Sequence, residues 1–130
     1  MKYVILIHSN PAPWGHPTHE FTPEGRALPA DQRAASDRQF EALMEELSAR
    51  GEFVVAEALA APSTSTVLRW DGDAPVSSDG PYAEVKEHLA GFFLVDCATR
   101  ERAEEVARQF AGPGDVVELR PAMWDGNEGA

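Results

Sequence analysis

The sequence predicts an α+β fold: a βαββαβ core with an extra hairpin. Three observations predict it. Short apolar runs rich in β-branched residues alternate with two stretches of helical spacing, turn residues separate them, and the two most continuously apolar runs stand first and third among the core strands. Tyr3–Ile7 is too short for a helix and reads as the first strand. Residues 9–30 hold Pro11, Pro13, Pro17, Pro23 and Pro29 with Gly15 and Gly25, which forbids one regular element across the segment. A loop that long inside a compact domain is often functional, and Trp14 and Phe21 give it apolar groups with which to pack on the body.

Phe40, Leu43, Met44 and Leu47 then fall at i, i+3, i+4 and i+7, one apolar stripe of a helix that Gly51 stops. Glu52–Leu59 and Thr64–Trp70 are strand-like, Asp71-Gly72 marks a tight turn, and Val76–Ser78 returns as a short strand. Gly91–Cys97 is the next strand. The second helix carries Ala103, Val106, Ala107 and Phe110 on one face, with Thr99 as N-cap and Gly112 as its stop. Val116–Arg120 closes the fold, which reads as a single domain over 1–125 with a frayed tail at 126–130.

This order is that of a ferredoxin-like sheet, in which the first and third core strands, YVILI and GFFLV, are central. Their continuous apolarity implies that both faces of the sheet are covered. Two helices cover only one face. The economical cover for the other is a second copy of the chain, so a homodimer of the dimeric α/β-barrel kind is expected. The alternative is that the long loop folds over that face.

Composition narrows the function. Among 130 residues, 22 acidic against 11 basic give a net charge of -11, which repels phosphate backbones and anionic lipid. Nucleic acid and membrane are therefore not expected partners. No apolar run approaches the roughly 20 residues that span a bilayer, and the apolar N-terminal run lacks the small-residue site of a signal peptide. The single cysteine, Cys97, has no intrachain partner and lies in an apolar run, which suits a buried thiol and a cytoplasmic location.

The densest polar stretch is 77–91, holding Asp79, Tyr82, Glu84, Lys86, Glu87 and His88. Gly80 permits a positive φ and Pro81 fixes the next one, so Asp79 is expected on a rigid corner, a candidate acid/base. The plainer alternative is a solvated turn whose Asp caps its own backbone. His8, at the end of the first strand, and His16, in the long loop, are candidate assisting bases. Trp14, Tyr82 and Arg120 are candidate substrate contacts, Arg120 offering a fork to a carboxylate. His16, His19 and Glu20 invite a metal reading, but Pro17 stiffens the segment and no fourth ligand is near in sequence. No metal is expected there. There is no G-x-G-x-x-G, Walker lysine loop, G-x-S-x-G or C-x-x-C, so no cofactor is expected either.

Asp79-Gly80-Pro81-Tyr82-Ala83-Glu84-Val85-Lys86-Glu87, followed by Gly91-Phe92-Phe93, closely resembles the DGPFAETKE signature of a subgroup of the YCII-related family. Tyr82 stands where Phe is usual and Val85 where Thr is usual. The start, Met1–Ile7, and the end, Val117–Pro121, resemble that subgroup too, so the likeness covers nearly the whole chain. It implies a ferredoxin-like α+β domain that pairs into a dimer, with a cleft by the signature loop. It also implies kinship with domains that act in chlorinated-aromatic or lactone degradation, although the subgroup has no assigned activity. The wider family is credited with a His–Asp pair whose His lies near the start of the first helix. Asp31–Phe40 here holds no His, and Asp79 belongs to a different motif.

Two functions follow as expectations. One is a cofactor-independent acid/base enzyme on a small organic molecule, anionic or lactone-like, using Asp79 with His8 or His16. The other is a non-catalytic ligand-binding or regulatory module linked to transcription, since the subgroup's genomic neighbourhood with sigma factors implies such a role.

Overall fold

The computed structural model describes residues 1–82 and 85–124. Ala83 and Glu84 of the signature, and the tail expected at 126–130, lie outside the described residues. The chain forms strands β1 (Lys2–Ser9), β2 (Phe53–Ala58), β3 (Thr66–Trp70), β4 (Pro75–Asp79), β5 (His88–Asp96) and β6 (Val116–Pro121). Its helices are α1 (Pro23–Arg26), α2 (Ala30–Ala49) and α3 (Arg100–Arg108), with single 3₁₀ turns at Thr18–Glu20 and Pro62–Thr64. Four strands build one antiparallel sheet in the order β2-β5-β1-β6, and β3 and β4 pair separately as a hairpin. The first and third core strands are central, as the apolar runs predict, and the order is compatible with a ferredoxin-like fold.

Alternation along the strands sorts the side chains. Ile5 lies opposite Phe93 and Leu119, and Tyr3 opposite Val95. These residues point to the side where α2 contributes Leu43 and Leu47, and α3 contributes Ala103, Val106 and Ala107. Both helices therefore cover the same face. The intervening residues Val4, Leu6, Phe92 and Leu94 point to the opposite face and are only partly buried.

The helix signals hold in detail at two termini. Gly51 takes φ +68°, Gly51 N–H donates to Ser48 O at 3.2 Å, and Glu52 N–H donates to Leu47 O at 2.9 Å. Those two bonds close α2 with a Schellman motif. The Thr99 hydroxyl accepts from Arg102 N–H at 3.1 Å, the expected N-cap of α3. Three features depart from expectation. α3 ends at Arg108 with Gln109 as its C-cap, so Phe110 and the expected stop Gly112 lie beyond it. α2 begins at Ala30, a full ten residues before the apolar stripe, because its first turns face solvent and need no apolar period. The long loop, broken by its prolines, still accommodates a 3₁₀ turn and the four-residue α1.

No helix among the described residues is long and apolar enough to cross a membrane.

Candidate functional site

At the end of the sheet where β1 and β2 finish and β5 and β6 begin, the helix-covered face is incompletely filled. Ala56, Ala58, Ala90 and Gly91 carry too little bulk to fill it, and a groove of about 910 Å³ opens there. Gly91 is required by close approach: a Cβ would stand 2.8 Å from the Glu57 carbonyl oxygen. One wall is aromatic. Phe93 and Phe110 lie 4.2 Å apart, and Phe40 meets both edge-on with centroids at 6.2 and 6.0 Å. Phe40 belongs to the apolar stripe of α2, yet it remains 39% exposed because it faces this groove.

The other wall is polar and comes from the long loop. His16, Pro17, Thr18 and His19 line it, opposite Ser36 and Asp37 of α2 and beside Asp115. The loop is held in place by backbone and side-chain bonds. Ala12 N–H donates to Phe21 O at 2.8 Å, Arg26 Nη1 to Ala12 O at 3.0 Å, and Trp14 Nε1 to Leu59 O at 2.8 Å. Buried Thr22 caps α1 by accepting from Gly25 N–H at 3.1 Å. The Thr18 hydroxyl donates to Asp115 Oδ1 at 3.0 Å, tying the turn to the start of β6.

Within this frame His19 Nε2 lies 3.2 Å from Asp37 Oδ1. The nitrogen is buried and the contact is at ion-pair distance without the alignment of a hydrogen bond. A proton on Nε2 would face Asp37, which would leave the Nδ1 lone pair as the free one. Asp115 completes the cluster. Burial pushes its carboxyl above the ordinary range, while the Ser9 and Thr18 hydroxyls and nearby His19 draw it back and Glu24 adds to the rise. The Ser9 hydroxyl is fully buried and stops short of hydrogen-bond geometry. His19, Glu20 and Asp37 also bring one ligand atom each within 4.8 Å of one another, the set among the described residues with which a cation could be held. Glu20 and Asp37 are exposed, and His16 stands outside that set.

The expected site residues are distributed as follows. His16 lines the groove. His8, on the far face of β1, meets Glu118 at 3.6 Å, and Glu118 also meets Arg120 at 3.4 Å. Asp79 ends β4, exposed, and is followed by Gly80 at φ +97°. Tyr82 is exposed beneath the Arg69 guanidinium at 5.0 Å. Trp14 anchors the loop through its indole N–H. Of these residues only His16 is among the groove lining, together with His19, Asp37 and Asp115, which sequence reasoning did not put forward as acid/base groups. One signal for Asp37 was present: it lies three residues before Phe40, on the same stripe of the helix.

A histidine–aspartate contact thus exists, its His on the 3₁₀ turn of the loop and its Asp on α2. A protein of Rhizobium meliloti (strain 1021), itself described as uncharacterised, is 33% identical over 98 residues, which is 68% of this chain and 79% of that protein. The family model of the YCII-related domain matches residues 1–125. The chain belongs to the YCII-related domain family.

Proposed function

We propose that the groove binds a small organic molecule and that His19, oriented by Asp37, moves a proton to or from it without a cofactor. The observation that carries this reading is the His19–Asp37 contact at the mouth of a half-apolar groove of about 910 Å³, a size suited to a metabolite. His19 Nδ1 takes a proton from an acidic C–H or O–H of the bound molecule and returns it to the product. Asp37 holds the ring and stabilises the imidazolium formed in between. His16 contacts the bound molecule from the loop.

The test works before the whole reaction is identified. Thermal-shift screening of metabolites, lactones and carbon acids selects ligands, and NMR in D₂O follows deuterium entering each one. Wild type is expected to catalyse exchange. His19→Ala should slow it by about 100- to 10,000-fold, the range of a lost general base, and Asp37→Asn should slow it less. Exchange at the wild-type rate in both variants sinks the proposal. Ligands that bind without exchange in any form would favour the ligand-binding or regulatory module instead.

The same proposal includes a homodimer formed through the uncovered sheet face, since Val4, Leu6, Phe92 and Leu94 form a partly exposed apolar surface there. Light scattering is expected to give twice the mass of one chain, and Leu94→Asp to give one chain mass with the fold retained. A monomeric wild type at high micromolar concentration would remove the dimer.

A further inference from the structure

We propose that the groove selects an organic ammonium ion, an amine attached to an aromatic or similarly apolar body. This rests on the groove being the working site, and it takes the opposite charge to the anionic molecule expected from the sequence.

The argument is one of unmatched charge. Asp37, Glu41 and Asp115 line the groove. Asp115 is partly buried, and among the described residues no lysine or arginine lies within ion-pair distance of it. What faces it is the Thr18 hydroxyl, the Ser9 hydroxyl, His19 and Glu24. Asp37 has the His19 imidazole as its neighbour, at 3.2 Å. The arginine at the groove, Arg108, already lies 3.7 Å from Glu104. An anion entering here would sit beside the carboxylates of Asp37, Glu41, Glu57 and Asp115, with one guanidinium among the described lining residues, that of Arg108, already shared with Glu104. An ammonium would instead restore a partner to a half-buried carboxylate, where a desolvated ion pair is stronger than on the surface. Across the groove, Phe40, Phe93 and Phe110 present ring faces and edges at centroid separations of 4.2 to 6.2 Å. Such a wall takes an aromatic body by stacking and adds cation–π attraction for the ammonium.

Three probes that share one phenethyl body vary the charge of its end: phenethylammonium, phenethyl alcohol and hydrocinnamate, titrated at neutral pH by NMR with the His19 and Phe110 resonances followed. The ammonium is expected to bind about tenfold more tightly than the alcohol, with the carboxylate weakest. Asp115→Asn should lower the ammonium to the affinity of the alcohol, and Phe110→Leu should weaken all three. Where Asp115→Asn fails to fold, Glu41→Gln serves, with an expected loss of about two- to threefold for the ammonium alone. Groove resonances that move equally with all three probes, or most with the carboxylate, overturn the ammonium inference and leave the groove as the site. Groove resonances unmoved by any probe overturn both.

Discussion

Replacing Arg102 by Met is expected to cost about 3–5 kcal/mol of folding stability, the range for breaking one side of a buried ion pair, read from urea midpoints. Arg102 and Glu52 are 9% and 6% exposed. The guanidinium donates through Nε and Nη2 to both Glu52 oxygens at 2.9–3.3 Å, through Nη1 to Glu105 at 3.0 Å, and through Nη2 to Glu46 at 3.2 Å. Glu52 is placed there by the Schellman motif that ends α2, and Arg102 by the Thr99 cap that begins α3. One side chain thus clamps two helices to the entrance of β2, and without it the cation left beside buried Glu52 among the described residues is Arg50, at 3.4 Å. Arg100→Met is the control: its partner Glu104, at 3.3 Å, is exposed, and the expected loss is at most about 0.5 kcal/mol. Arg102→Met combined with Glu52→Leu should recover most of the deficit. A loss under about 1 kcal/mol for Arg102→Met alone would show that the clamp contributes nothing beyond a surface pair.

The same pair sets an acid dependence. The bond to Arg102 holds the Glu52 carboxyl below its ordinary value of 4.5 against the opposing effect of burial. A carboxylate lowered by folding contributes stability that is present above that ordinary value and lost as pH falls through the folded-state value. Wild type is therefore expected to lose stability steadily below about pH 4.5. In Arg102→Met, burial without the guanidinium raises the carboxyl, so this contribution reverses sign and stability recovers on mild acidification. Cys97, buried against Glu52, has its thiol pushed up by desolvation and stays neutral throughout.

Much of this frame was legible in the sequence because its signals are local. β-branched runs, the i, i+3, i+4 stripe, Gly51 and Thr99 each act within a turn or two of their own position, and the central pair of strands follows from apolarity alone. The site was less legible because its parts are distant in sequence. His19 meets Asp37 only because the loop turns back, and Asp115 joins them from the start of β6, some 97 residues from Thr18. The signature that carries the family resemblance directed attention to Asp79, at the end of an exposed hairpin. The prolines that marked residues 9–30 as irregular said nothing of the 3₁₀ turn and α1 that fix His19.

That fixing leads to the second large effect. Gly25→Ala is expected to suppress proton exchange at least as far as His19→Ala, although residue 25 is not among the groove-lining residues. Gly25 is buried in α1, and a Cβ there would stand 2.2 Å from the His19 carbonyl oxygen and 2.6 Å from its Cα. Both are backbone atoms, so the loop must move and carry the imidazole away from Asp37. The stability cost should be about 1–3 kcal/mol, as for overpacking, because the sheet and the α2–α3 core lie elsewhere. Gly15→Ala supplies the comparison. Its Cβ would come within 2.5 Å of the Phe21 ring, a side chain that can rotate aside, so the loss of exchange should be smaller. The His19 ring resonances report the displacement directly. If they keep their wild-type shifts in Gly25→Ala while exchange also persists, the tight packing of α1 against the 3₁₀ turn is not what positions the base.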